Sequence, residues 1–186
     1  ILITSSVPGE GKSFIAANLA CAFAQSGSRV LLVDCDIRKG RQHYIFNSHN
    51  KSGLSNLLLE NVKEKYMDYI QETRIKNLSV MFRGVTPPNP SELLGSSKNK
   101  ELIEILRNEY DIVIFDSAPI NGGLTDSIIM STLVDGVVIV SSCKETPISL
   151  LNNTKKSLQN VNANILGVVL NRASSKSKKY YGHYYG

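Results

Sequence analysis

Gly9, Gly11, Lys12 and Ser13 stand within five residues of one another, behind the apolar run Ile1-Leu2-Ile3 and ahead of the alanine-rich stretch from Phe14 to Ala24. An apolar strand that runs through a glycine loop ending Gly-Lys-Ser into a helix is built to hold phosphate. The glycines let successive N–H groups turn inward, and the start of the helix adds the positive end of its dipole. Lys12 adds a mobile cation and Ser13 a hydroxyl for magnesium. The consensus G-x-x-x-x-G-K-[ST] asks for glycine at position 6, where this chain has Ser6. Two more places could do related chemistry. Val30-Leu31-Leu32-Val33 closes on Asp34-Cys35-Asp36, and Ile112-Val113-Ile114-Phe115 closes on Asp116. If the strand stays extended one step past Asp34, Asp34 and Asp36 project to the same side, because strand side chains alternate with period two. Carboxylates so placed repel each other unless a cation lies between them. An aspartate that follows four apolar residues is the Walker B arrangement, which meets magnesium directly or through its water. Asn171, at the end of the last apolar run, carries an amide donor and acceptor that can read an adenine edge.

The elements that must position these residues follow from periodicity. A helix is predicted from Ser13 to about Gln25, with Ile15, Leu19, Ala22 and Phe23 as its apolar stripe and Gly27 as its stop. Short helices are expected over 53–58 and 62–70, and a strand over 78–82. In the stretch from Thr86 to Leu94 the prolines then require an extended or turning loop before a helix can restart. A helix from about Ser97 to Glu109 presents Leu102, Ile103, Leu106 and Tyr110. Strands over 111–116, 136–140 and 165–170, with a helix from Ile148 to Gln159, complete the pattern, and there is no internal repeat. Strands that are apolar throughout and alternate with helices predict an α/β protein: a mostly parallel twisted sheet covered by helices on both faces. In such sheets ligands bind beyond the carboxyl ends of the strands. Ser5 to Ser13, Asp34 and Asp36, Asp116 and Asn171 all fall at that edge. A solvated strand exit accounts for any one of them; their coincidence points to a nucleotide–magnesium site.

With 186 residues the chain suits one well-buried domain. No apolar run approaches the ~18 residues of a membrane span, so a soluble piece is expected. It begins at Ile1, without methionine and directly on a strand, and reads as an excerpt of a longer protein. Cys21, Cys35 and Cys143 are odd in number and widely spaced, which suits a reducing compartment without disulfides or a zinc site. The net charge of +5 is concentrated at the end: from Arg172 onward there are four cations and no acid, leaving the body near neutral. A nucleic-acid binder would carry its basic face on the folded body, so no nucleic-acid partner is expected. The division expected is a P-loop domain over 1–171 and a flexible basic tail over 172–186. That tail holds Tyr180, Tyr181, Tyr184 and Tyr185, half of the chain's tyrosines, in a glycine-interrupted stretch too short to pack as core.

These residues resemble the bacterial tyrosine kinases that accompany capsular and exopolysaccharide synthesis. The resemblance is carried by Ser-Ser-Val-Pro-Gly-Glu-Gly-Lys-Ser over 5–13, by Asp34-Cys-Asp36-Ile-Arg38 as the Walker A′ motif and by Ile112-Val-Ile-Phe-Asp116 as Walker B. The stretch Pro87-Pro88-Asn89-Pro90-Ser91-Glu92-Leu93-Leu94 looks like the family's proline-rich segment, and the terminal tyrosines look like its autophosphorylation tail. After Asp116 the family usually has Thr-Pro-Pro, whereas Ser117-Ala118-Pro119 stands here. Partition and division-site ATPases have a similar loop with an extra lysine where this chain has Val7.

The resemblance implies a protein-tyrosine kinase of the P-loop NTPase fold, using ATP and magnesium. It places Pro8, Gly9, Glu10, Gly11, Lys12, Ser13 and Phe14 around the nucleotide, with Asn171 and Arg172. It assigns Ser13, Asp36 and Asp116 to magnesium and makes Lys12, Asp34, Asp36 and Asp116 the catalytic set, Asp34 facing the tyrosine hydroxyl. It further implies a ring-forming homo-oligomer whose subunits phosphorylate one another's tails at Tyr180, Tyr181, Tyr184 and Tyr185. A transmembrane activator of the export system, protein tyrosine substrates and a cognate tyrosine phosphatase are the implied partners. The implied location is cytoplasmic, at the inner face of the membrane. A nucleotide-switched assembly module and a partition-type ATPase are the alternatives from other classes.

Overall fold

The computed structural model describes residues 1–121 and 125–173; the tail tyrosines lie outside the described residues. In chain order the elements are β1 (Leu2–Ser5), α1 (Lys12–Gln25), β2 (Val30–Asp34), α2 (Gln42–Ile45), α3 (Leu54–Leu57) and α4 (Val62–Lys65). A 3-10 turn (Tyr66–Tyr69), β3 (Gln71–Glu72), β4 (Leu78–Met81), α5 (Pro90–Gly95), α6 (Ser97–Glu109) and β5 (Ile112–Asp116) follow. The chain continues through α7 (Asp126–Ser131), β6 (Val137–Ser142), α8 (Ile148–Asn160) and β7 (Ile165–Asn171).

The strands form a seven-stranded sheet in the order β3-β4-β2-β5-β1-β6-β7. All neighbours run parallel except the two-residue β3, which lies antiparallel to β4 at one edge. From β1 the chain moves past β5 to reach β2, and later returns to the other side of β1 as β6. The P-loop therefore leaves the sheet where strand order reverses, the crevice in which such sheets bind ligands. Register pairs Asp34 of β2 with Asp116 of β5.

Two apolar clusters cover the two faces. One packs Leu31, Val33, Phe115, Val137 and Ile139 against Leu102 and Leu106 of α6, Met130 of α7 and Leu158 of α8. The other packs Ile3, Val30, Leu32, Ile114 and Val140 against α1. Strands buried on both sides must be apolar at every position, which is why they lack alternation.

The structure corrects several expectations. The face of α1 against the sheet is Ala16, Ala17, Ala20 and Ala24, all buried, whereas Ala22 is exposed and Ile15, Leu19 and Phe23 lie at the flanks of the contact. Small side chains let the helix lie close to the strands, so the large residues mark its margins. The proline-rich stretch does not stay extended to its end: Pro90 is the first residue of helix α5, a position where the missing N–H costs nothing. Among the described residues, nothing covers one face of the last strand. β7 lies at an edge, and Leu166, Val168 and Leu170 are each more than half exposed. The helices α2 and α7 and the strand β3 had no distinct periodic signal, each being six residues or fewer.

Ala20 has no exposed surface and lies in the helix–sheet contact. Replacing it with leucine should overpack that seam by about 1–3 kcal/mol. A fall in thermal midpoint of roughly 2–4 °C per kcal/mol is expected, and calorimetry of Ala20→Leu against the parent measures it.

Candidate functional site

The P-loop is shaped by two glycines in the left-handed region, Gly9 at φ 87° and Gly11 at φ 90°, conformations that side chains rarely adopt. Gly11 is the N-cap of α1, and no side chain caps the helix. Its leading N–H groups, which no preceding turn can satisfy, are thus left for an anion. A side chain at Gly11 is excluded twice over, since a Cβ there would stand 2.2 Å from Asn171 Nδ2.

The loop is anchored from behind. Glu10 is buried, and its carboxylate accepts from Val7 N (2.7 Å), Ser142 N (3.2 Å) and the Thr146 hydroxyl. Glu10 therefore faces into the protein and can serve a ligand through its backbone. Ser6, the departure from the loop consensus, is fully buried and accepts from the Thr154 hydroxyl at 2.9 Å. A residue with a hydroxyl fits there because α8 supplies a partner. Asn171 donates from Nδ2 to the Glu10 carbonyl (2.9 Å), and its Oδ1 accepts from Arg172 N. Arg172 donates to the Gly9 carbonyl (2.9 Å) and pairs with Glu145. Asn171, expected at the adenine edge, and Arg172, expected at the nucleotide, thus both lie against the P-loop. Pro8 is exposed, and Phe14 projects outward at 61% exposure.

Four of the predicted residues converge at the mouth of the loop. Lys12 Nζ lies 3.3 Å from Asp36 Oδ2, 3.7 Å from Asp116 Oδ1 and 3.4 Å from Ser13 Oγ. Asp36 reaches Lys12 by a route other than strand alternation. β2 ends at Asp34, the chain turns, and the N–H groups of Cys35 and Asp36 both donate to the Asp116 carbonyl. The turn closes with Lys39 N on Asp36 Oδ1 (2.9 Å) and Gly40 N on the Asp36 carbonyl (2.7 Å). Gly40 has to be glycine, because a Cβ would fall 2.1 Å from Asp34 Oδ1.

Gln42 gave no sequence signal. It is fully buried, and its backbone N–H donates to Asp34 Oδ2 at 3.0 Å. Its Nε2 donates to Asp116 Oδ2 (2.8 Å) and to the Ser13 carbonyl (3.0 Å). Arg38, whose role the sequence left open, pairs with Asp126 at 2.6 Å and also reaches the Ser91 hydroxyl at 3.2 Å. That guanidinium ties the turn after β2 to the first residues of α5 and α7.

Electrostatics at this edge are set by crowding. Burial, reinforced by the facing Asp116, pushes Asp34 well above its ordinary 3.8. Burial also raises Asp116, although Lys12, Ser13 and Gln42 oppose it. Burial works against the Lys12 ammonium, yet Asp116, Asp36 and Asp34 outweigh it and hold its pKa above the ordinary value. Burial and the same carboxylates push the Cys35 thiol well up, so it stays a protonated packing residue. Three buried acceptors have no partner among the described residues: Asp34 Oδ1, Asp116 Oδ1 and Gln42 Oε1. Among those residues no group of three or more His, Cys, Asp or Glu side chains forms a cage for a bare metal ion. Magnesium typically keeps several waters and takes one or two carboxylates together with substrate phosphates. Carboxylate oxygens without donors, beside Ser13 and a phosphate-binding loop, fit such an ion.

A parallel sheet with a P-loop at its switch point and two aspartates closing adjacent strands defines the class of P-loop nucleotide-binding proteins. A family profile described as an AAA domain matches residues 1–168. Tyrosine-protein kinase YwqD of Bacillus subtilis is 40% identical over 184 residues, which cover 99% of this chain and 76% of the relative. The putative tyrosine-protein kinase CapB of Staphylococcus aureus is 41% identical over 186 residues, covering 100% of this chain and 80% of the relative. The crystal structure of the chimerical protein CapA2B2 superposes with a TM-score of 0.87 at 44% identity, covering 92% of this chain and 75% of that one. The chain belongs to the bacterial tyrosine-protein kinase family.

Because Asp34 binds its proton more tightly in the folded state, it favours folding below its unfolded pKa and loses that contribution as pH rises through the raised value. Without ligand, Asp34→Asn should therefore be more stable than the parent at neutral pH, with a higher thermal midpoint. The gap should widen as pH rises above the ordinary carboxylate value of 3.8, as thermal melts over a pH series will register.

Proposed function

We propose that the chain is a protein-tyrosine kinase that transfers the γ-phosphoryl group of ATP to tyrosine hydroxyls. The observation that carries the reading is the pair of buried acid oxygens on Asp34 and Asp116 that accept no hydrogen bond, that of Asp116 lying 3.7 Å from Lys12, at the mouth of an uncapped helix. In this reading the P-loop N–H groups from Gly9 to Ser13 and the Lys12 ammonium hold the phosphates. Ser13, Asp116 and Asp36 hold magnesium, which when bound neutralises charge on the transferring group. Asp34 orients the tyrosine hydroxyl. A phenol with a pKa near 10 does not give its proton to an ordinary carboxylate in the ground state. Asp34 accepts the proton late, as bonding to the leaving oxygen is already broken, which a loose phosphoryl-transfer transition state permits. Most of the rate enhancement is then positioning and charge neutralisation.

The acceptors are Tyr180, Tyr181, Tyr184 and Tyr185, presented by another subunit of a homo-oligomer. The support is their clustering at the end of the sequence and the family to which the chain belongs. The same reading places the kinase under a transmembrane activator at the inner face of the membrane, in the control of capsular or exopolysaccharide synthesis. No described helix is long and apolar enough to cross a membrane.

Incubation with ATP, magnesium and the cytoplasmic segment of the activator should yield phosphotyrosine at the four tail positions, mapped by mass spectrometry. Lys12→Met and Asp116→Asn should abolish it, and Asp34→Ala should slow it by about 100-fold or more. Mixing a Lys12→Met protein with an intact tail and an active protein whose four tail tyrosines are phenylalanine tests transfer between subunits, since the label should appear on the former. Nucleotide binding without any phosphotyrosine would favour the assembly switch instead.

A further inference from the structure

Gln42 touches Asp34, Asp116 and Ser13 at once, and the geometry points to its side chain as a positioning residue for the magnesium-facing Asp116 and Ser13. This inference rests on the nucleotide–magnesium reading above and extends it to a residue outside the sequence motifs.

The pattern of contacts is asymmetric in an informative way. Gln42 takes Oδ2 of both aspartates, Asp34 through its backbone N–H and Asp116 through its side-chain amide. In both aspartates the other oxygen, Oδ1, is buried and has no hydrogen-bond partner among the described residues. One residue thereby occupies one oxygen of each of two adjacent carboxylates and leaves the other without a hydrogen bond, that of Asp116 lying 3.7 Å from the Lys12 ammonium. The amide orientation is fixed by chemistry. Both neighbours of the Gln42 nitrogen, Asp116 Oδ2 and the Ser13 carbonyl, are acceptors, so the oxygen of the amide cannot stand there.

The donor is also neutral. A lysine or arginine in its place would pair with Asp116 and compete with a bound cation, whereas an amide orients the carboxylate and leaves its charge available. The second bond of the same nitrogen, to the Ser13 carbonyl, links Asp116 to the first turn of α1. The serine that supplies a hydroxyl toward magnesium and the aspartate that faces it are thus held by one group. Outer ligands of this kind typically contribute 10–100-fold in metal affinity.

The role separates cleanly from a packing role because the N–H of residue 42 is present whatever the side chain. In every Gln42 variant the hold on Asp34 stays, and what is lost is the hold on Asp116 and Ser13. ADP dissociation constants of the intact chain should be measured by calorimetry, in EDTA and in saturating magnesium, for the parent, Gln42→Met and Gln42→Asn. Methionine keeps the length of glutamine without its donors, and asparagine keeps an amide that is one methylene too short. In the parent, magnesium should tighten ADP binding; absence of that tightening would sink the nucleotide–magnesium reading itself. In both variants the tightening should shrink by about ten-fold, with ADP affinity in EDTA held within about two-fold. Undiminished tightening in the variants overturns the assignment of Gln42 alone. Equal weakening with and without magnesium, or loss of the folded state in both variants by urea melts, would make Gln42 a structural residue and likewise overturn it.

Discussion

Asp34 and Asp116 lie directly across from each other on adjacent strands, both fully buried, and this enforced proximity of two acids is the constraint around which the ligand edge is arranged. Parallel pairing of β2 with β5 leaves them no room to separate, and removing carboxylates from water is costly unless something compensates. Lys12 compensates in part, reaching Asp116 and Asp36 from the start of α1. One ammonium facing three carboxyl groups leaves a deficit of positive charge. On the proposed reading, a cation brought in with a nucleotide would meet that deficit, and phosphate would meet the unfilled N–H groups of the loop. The site is internally unbalanced, and its imbalance has the sign and shape of its ligand.

Such a site keeps its geometry only if its walls are held from outside. The P-loop is held by contacts from α8, from the segment after β6 and from the end of β7, through Thr154, Thr146, Ser142, Asn171 and Arg172. The turn after β2 is held by the Arg38–Asp126 pair and by Gly40, whose bare Cα allows the chain to fold tightly over Asp34. The end of β7 has a further consequence. Arg172 bonds the backbone of the phosphate loop, so the point from which the tyrosine-bearing segment departs is fixed to the part of the protein that grips the nucleotide. On the proposed reading of those tyrosines as acceptors, donor site and acceptor segment would share one anchor.

The sequence was legible where local rules and global fold agree. Strands buried on both faces have to be apolar at every position, so β1, β2, β5 and β6 announced themselves as uninterrupted runs. The aspartates that close them were conspicuous for the same reason. Glycines with positive φ followed by Lys-Ser left little else for the loop to be. Where size mattered more than polarity, periodicity misled. In α1 the contact face is alanine, and the larger side chains that dominate a hydrophobic pattern flank it. In β7 an apolar composition suggested full burial, but burial alternates along the strand, and Leu166, Val168 and Leu170 share the face that no described element covers.

By itself, then, the sequence determined the α/β class, the phosphate loop and the identity of Lys12, Asp34, Asp36 and Asp116 as its companions, because each is encoded within a few residues of a strand end. What the tertiary structure decided is how those groups are partnered. Gln42, Glu10, Arg38 and Ser6 acquire their meaning from residues 29, 136, 88 and 148 positions away, such as Ser13, Thr146, Asp126 and Thr154. No local pattern records a hydrogen bond across such a separation, because the spacing that creates it is set by strand order and crossover. The turn that carries Asp36 to Lys12 is of the same kind: its path depends on a carbonyl of Asp116, which only the assembled sheet brings within reach.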